Sequence, residues 1–248
     1  MNTSIQAMPL ANLALAFIPV FAVIWIIYRW SLDYRNALHA FSRMLCQLML
    51  IGYFLVHIFE SDSIWIVMAV LMAMVFISTW IALGTVKQNR FALYGKAFFS
   101  IAVGGGAVLA LVTQGVLELD PWHMPRYFIP LAGMIFSNAM NSVSLAADRL
   151  KAEIERDVDY KKARSVAFRA SLIPITNSLF AVGLVAIPGM MTGQILSGTS
   201  PLIAARYQIM VMCMVYGAAG ISSACFLMLA KNLVSGFSTN GEREKGEA

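Results

Sequence analysis

The chain has 248 residues, of which 59% are hydrophobic and 12% charged, with a mean hydropathy of +0.72. A soluble domain carries roughly 45–50% apolar residues with glycine included, so this composition excludes a soluble enzyme or binding module and implies a chain that crosses a membrane many times. The formal net charge of +5 needs no nucleic-acid partner, because lysine and arginine crowd one set of loops, as the positive-inside bias of membrane proteins requires.

Seven stretches reach the ~20 mostly apolar residues that ~30 Å of hydrocarbon demands of a helix. They are 8–28, 44–60, 63–84, 97–117, 127–147, 171–196 and 207–230. Residues 1–28 hold no lysine or arginine and no small-residue cleavage site follows, so the first stretch reads as a permanent helix and not a leader. The connections 60–63, 118–126 and 197–206 are short, the last with the turn residues Gly198 and Pro201. The loops 29–43, 87–96 and 148–169 are basic. With Lys231, Arg243 and Lys245 they hold 16 of the 18 basic residues, leaving Arg126 and Arg206 for the opposite side. The expected fold class is therefore all-α: a polytopic membrane helix bundle of about seven transmembrane helices, N-terminus outside and C-terminus inside. One transmembrane domain spans 1–234, and the polar tail 235–248, without an apolar face, is expected to be disordered.

The segment 148–169, DRLKAEIERDVDYKKARSVAFR, is expected to continue the fifth helix beyond the membrane. It places Glu153 with Arg156, Asp157 with Lys161 and Asp159 with Lys162 at helical neighbour spacings. Cys46, Cys213 and Cys225 lie within spans at spacings that form neither a disulfide framework nor a zinc site.

Polar and helix-breaking residues inside the spans mark the candidate sites. Pro188 lacks a backbone donor and is expected to bend or break the sixth helix, and interrupted helices line substrate paths in transporters. Gly189 and Gly193, continued by Ser197, also form a G-x-x-x-G pair that admits a neighbouring helix, so packing and pathway are both open. Met190 and Met191 offer thioethers beside Thr192, yet methionine equally fills irregular apolar gaps, and thioethers suit Cu(I) better than iron. In the fifth span Asn138, Asn141 and Ser142 form an i, i+3, i+4 stripe that must face protein or water, with Asn177 and Gln47 as candidate partners and Gln208 nearer the surface. Arg43 stands one turn before Gln47, as a snorkelling residue or as part of a functional pair. His57, Glu60 and Asp62 are a weak cation-site candidate, and an isolated interfacial histidine is the plainer reading.

The strings PITNSLFAVGLVAIPGMMTGQILSGTSPLIAARYQ (174–208), PLAGMIFSNAMNSVSLAADRL (130–150) and RMLCQLMLIGYFL (43–55) together resemble the FetB/YbbM-like permease family, over about residues 8–232. That family supplies the membrane half of ABC transporters, with bacterial members assigned to iron export and plant relatives to aluminium tolerance. The resemblance implies a multi-pass permease of the cytoplasmic (inner) membrane, working as a homodimer with a separate ABC ATPase subunit, and exporting a metal ion or other small solute. It implies a translocation path through Asn138, Asn141, Asn177, Pro188, Gly189, Met190, Met191, Thr192, Gly193 and Gln208, and ATPase coupling through Arg43, Glu153, Glu155 and Arg156. It implies no cofactor in this chain, the ATP sitting on the partner, and leaves any metal ligands unknown. The family's coupling element, an acidic residue followed by a leucine-rich, glycine-containing LALGA-type run, has no counterpart here, where Glu153 and Glu155 precede RDVDYKKARSVAF.

No G-x-x-x-x-G-K-[ST] loop occurs, and the spans hold no Ser/His/Asp, Cys/His or H-E-x-x-H arrangement, so the chain is expected to catalyse no reaction itself. A proton-driven carrier is the first alternative, weakened by the lack of an ionisable residue deep in any span. A membrane scaffold acting through 148–169 is the second, and the missing coupling element favours it.

Overall fold

The computed structural model describes residues 9–60, 63–86 and 90–246, and the side chains of all these except 10–11 and 232–246. It is helical throughout, and six helices are long and apolar enough to cross a membrane. By their internal contacts the residues divide into two compact units, Met1–Ser61 and Asp62–Ala248.

In the first unit α1 (Leu10–Leu15) and α2 (Ile18–Arg29) occupy the first predicted span. The interruption at Ala16–Phe17 lies just ahead of Pro19, whose missing N–H leaves the Leu15 carbonyl without its helical donor. α3 (Tyr34–Phe59) packs against α2 and begins well before residue 44, so most of the expected basic loop 29–43 is helix. Its start is set by Asp33, whose Oδ1 accepts from the Asn36 amide at 3.1 Å.

The second unit holds α4 (Ile64–Ala82), α5 (Arg90–Ala110), α6 (Pro125–Ile154), α7 (Tyr160–Ala181), α8 (Gly189–Leu196) and α9 (Pro201–Gly246). The helical backbone of α9 thus runs on through most of the polar tail. A 3₁₀ turn at Leu83–Thr85 closes α4, and a π-helical turn at Leu111–Val116 continues α5. α9 touches α5, α6, α7 and α8, and α6 also touches α4, α5 and α7. Paired contacts set the directions: Gly104 meets Ser222, Gly217 meets Val108, Gly105 meets Phe136 and Gly133 meets Met74. Arg90 and Tyr94 of α5 reach the Trp80 and Phe76 carbonyls of α4, Tyr160 and Leu172 of α7 meet Leu227 and Gly220 of α9, and Ser142 of α6 meets Ser171 of α7 beyond their short turn, so α4, α6 and α9 run one way and α5 and α7 the other.

The core is built from small side chains. Ala97, Ala132, Ala139, Ala146, Ala163 and Ala218 are fully buried. They permit the close backbone approach that membrane helices need, since lipid tails are as apolar as leucine and burial supplies little drive. At Gly104 a Cβ would stand 2.5 Å from the Ser222 Oγ and 2.8 Å from its amide nitrogen. Polar side chains in the core bond to carbonyls, as Thr79 Oγ1 does to Val75 (2.8 Å) and Ser142 Oγ across to Ser171 (3.3 Å).

The structure corrects two expectations. The predicted sixth span, 171–196, is not one helix: α7 stops at Ala181 and α8 starts at Gly189, which accounts for six long helices where seven spans were expected. Nor does the fifth helix run through 148–169. α6 ends at Ile154, Asp157 adopts φ 57°, and Asp159 caps α7 by accepting from the Lys161 amide at 3.0 Å. The Asp157–Lys161 and Asp159–Lys162 pairs consequently do not form, whereas Glu153–Arg156 does, at 3.7 Å.

Gly104→Ala should lower thermal stability in detergent by about 1–3 kcal/mol, because the methyl meets backbone and forces α5 from α9. Gly106→Ala, on the same helix with open space at its Cβ, should be neutral or stabilising. Tyr160, whose hydroxyl donates to the Leu227 carbonyl, ties α7 to α9. Tyr160→Phe should cost about 1 kcal/mol. Burial pushes the Tyr160 phenol above its ordinary 10.0. Its contribution is then complete below that value and lost as pH rises through the raised one, so above about pH 10 the melting temperature of the parent should fall more steeply than that of the Phe variant.

Candidate functional site

The break between α7 and α8 is a hydrogen-bonded turn. Val182 leaves the helix with φ −64° and ψ 131°, and Gly183 follows at φ +82°, the left-handed conformation that ends helices and that glycine adopts without cost. The Val185 and Ala186 amides donate to the Ala181 carbonyl at 2.8 and 3.0 Å, and the Gly183 amide donates to Ala186 at 3.0 Å. Pro188, extended at φ −62° and ψ 146°, is the N-cap of α8. Pro188 restricts only Ile187 before it, whereas the chain has already left the helix at Val182 and Gly183.

α8 packs against α9, and with the starts of α6 and α9 it borders a half-open cavity of about 470 Å³. Arg126, Tyr127 and Met134 from α6, Met190 and Gln194 from α8, and Tyr207 and Met210 from α9 lie on its wall, closed at the end of the π-turn by Leu117 and beside the α8–α9 connection by Thr199. A π-turn widens a helix by one residue per turn and recurs at functional sites. Arg126 has no carboxylate partner among the described residues. The Gln194 Oε1 is buried without a hydrogen-bond partner.

Of the residues named from sequence, Met190 is on this wall and Met191, half-buried on the next position, is not. Thr192 is exposed and its hydroxyl donates to the Pro188 carbonyl at 3.2 Å. A Cβ added at Gly189 or Gly193 would meet nothing, so within this chain the G-x-x-x-G pair packs no helix. Gln208 is 6% exposed, with an unpartnered Oε1, behind the wall and not on it. Asn138 is half-buried and donates to the Met134 carbonyl at 2.8 Å, not to Asn177, which is exposed on α7. Asn141 and Ser137 are exposed on α6. Gln47 and Arg43 belong to the first unit, both exposed on α3. There the His57 Nδ1 lies 3.3 Å from the Tyr53 carbonyl, and Asp62 of the same candidate cation site lies outside the described residues.

At the other end of α6, Glu153 is 7% exposed and held by Arg149 at 2.6 Å and Arg156 at 3.7 Å. Glu155 is exposed and pairs with Lys151 at 3.7 Å. These pairs fix the turn that joins α6 to α7. Among the described residues no three His, Cys, Asp or Glu side chains gather as a metal site. Sequence reasoning missed Arg126, Tyr127, Met134, Gln194, Tyr207 and Met210 as one wall, although Arg126 was already conspicuous as one of two basic residues set apart from the rest.

The profile of UPF0014, described as an uncharacterised protein family, matches residues 10–160 and 158–234. The probable iron export permease protein FetB of Escherichia coli is 34% identical over 243 residues, 89% of this chain and 90% of the relative. Protein ALUMINUM SENSITIVE 3 of Arabidopsis thaliana is 31% identical over 227 residues, 85% and 81% of the two chains. The UPF0014 membrane protein slr1647 of Synechocystis is 36% identical over 190 residues, 71% and 73%. No solved structure matches.

Gly183→Ala should cost about 1–2 kcal/mol, the penalty of a side chain in the left-handed region. Pro188→Ala should cost less, since the helix has already ended. Thermal unfolding of the two purified variants tests this order, and a larger loss at Pro188 would show that proline sets the break.

Proposed function

We propose, from the premise that the chain belongs to the UPF0014 family, that it is the permease subunit of an ABC-type exporter. It moves a metal ion out of the cytoplasm with energy from a separate ATPase subunit. The observation that carries the reading is the cleft of about 470 Å³ lined on one side by α8, the short helix that follows the break. Discontinuous helices form the binding sites of many transporters. Iron enters from the family resemblance and from the name of the Escherichia coli relative.

The energy must come from outside, for the chain has no phosphate-binding loop. In this reading the turn between α6 and α7, with Glu153 clamped by Arg149 and Arg156, is the surface offered to the ATPase in place of a LALGA-type element. Glu155 contributes from the same turn, and Arg43 is the coupling candidate of the first unit. The N-terminus is outside, the C-terminus inside, and the membrane is the cytoplasmic one. Asn141 and Ser137, exposed on a spanning helix, are covered in a homodimer, because polar groups facing lipid are costly. The missing LALGA-type element favours a second reading, a scaffold without transport.

Co-purification of the tagged chain from its host should recover an ATP-binding subunit at equal ratio. Replacing residues 155–159 should uncouple its hydrolysis. Met190→Trp, which fills the cavity, should cut metal efflux at least about tenfold, a barrier raised by ~1.4 kcal/mol. A chain recovered alone, with efflux untouched by Met190→Trp, would discard the permease in favour of the scaffold.

A further inference from the structure

We infer that the cavity between α6, α8 and α9 receives its cargo as an anion, so that a metal ion crosses as a negatively charged chelate and not as the bare cation. The inference rests on the permease reading and narrows it.

The chemistry of the wall carries it. Arg126 is the sole charged residue on the wall, which has no carboxylate, imidazole or thiol. Hard cations take oxygen ligands, chiefly carboxylates, and intermediate ones take imidazole as well. The wall's thioethers, Met134, Met190 and Met210, satisfy neither. A bare di- or trivalent cation would meet a fixed positive charge and nothing to neutralise its own.

The same wall suits an anion. A guanidinium stays protonated and offers five N–H donors in a plane that matches carboxylate or phosphate. Without an acidic partner among the described residues, Arg126 is free to use them. It stands in the first turn of α6, where the helix dipole adds positive potential. Tyr127, Tyr207 and Thr199 bring hydroxyl donors, while the buried, unpartnered Gln194 Oε1 is an acceptor that calls for a hydroxyl or other donor on the ligand. Size agrees. Six waters around an ion occupy about 180 Å³ at roughly 30 Å³ each, well under the 470 Å³ of the cavity, which is in the range of small organic ligands. The distribution of basic residues points the same way: Arg126 and Arg206 stand apart from the other 16 of 18. Arg126 is on the wall and Arg206 is next to the wall residue Tyr207.

The test is calorimetric binding to the full chain in lipid nanodiscs, with the ATPase subunit where it co-purifies, using citrate alone, ferric citrate and Fe(II) alone. Both citrate species should bind and weaken as salt rises, while Fe(II) alone should not bind. Arg126→Gln should weaken citrate binding about tenfold or more, the scale of a lost bidentate charged pair. Arg126→Lys should keep part of it, and Arg206→Gln should matter far less. Binding of Fe(II) alone, strengthened by Arg126→Glu, would overturn the inference. Citrate binding indifferent to Arg126, or no binding by any of the three, would overturn it equally. Efflux separates the two claims. Efflux lost in Met190→Trp together with bare-cation binding keeps the permease and discards the anion. Arg126-dependent citrate binding in a chain without efflux keeps the site and discards transport.

Discussion

The backbone of α5 comes so close to α9 at Gly104 that a Cβ there would stand 2.5 Å from the Ser222 hydroxyl, and Gly105 beside it leaves a similar berth for Phe136 of α6. Within hydrocarbon, helices gain little by hiding apolar surface from a solvent that is itself apolar, and association rests on close packing and hydrogen bonds. The triple contact of α5, α6 and α9 is therefore the frame on which the rest of the second unit is mounted. α4 lies on α5 and α6, α7 on α6 and α9, and α8 packs mainly on α9.

On this frame the break after Ala181 has a definite consequence. Had α7 continued, α8 would extend it along the same line. The left-handed Gly183 redirects the chain instead, and the turn satisfies its own amides through the Ala181 and Ala186 carbonyls. α8 then faces the beginnings of α6 and α9, and the gap left between them is the cavity. Its wall combines three methionines, which adapt to irregular spaces, with one guanidinium and a few neutral donors.

The two ends of α6 differ in electrostatic character. At its start Arg126 is unpaired among the described residues, and at its end the largely buried Glu153 is neutralised by Arg149 and Arg156. The first arrangement leaves charge available to a ligand, whereas the second spends it on holding a turn in place. Between them run the exposed Ser137 and Asn141, a polar edge that lipid does not tolerate well. α6, one helix with Pro130 inside it beside the cavity, thus joins the cavity to the α6–α7 turn.

Helix class, polytopic character and the approximate position of the long apolar helices were legible in the sequence because they depend on local quantities: runs of apolar residues, the length that crosses hydrocarbon, and the cost of an unpaired backbone in lipid. The family resemblance was legible for the same reason, being carried by contiguous strings such as PGMMTG. A break near Pro188 was also local chemistry, but its location at Gly183 depended on a left-handed glycine that the apolar run around it concealed. What the sequence could not decide is which side chains meet. Asn138 and Asn177 lie at comparable depth along the chain, yet one is half-buried against its own helix and the other exposed, because rotation of each helix is set by contacts with its neighbours. Arg126, Met134, Met190, Gln194 and Tyr207 are scattered over more than eighty positions and form one wall only after α8 folds against α9. The sequence by itself determined the elements and their chemistry, since both are properties of neighbours along the chain. The tertiary structure alone decided the cavity, since it is made of residues that are neighbours only in space.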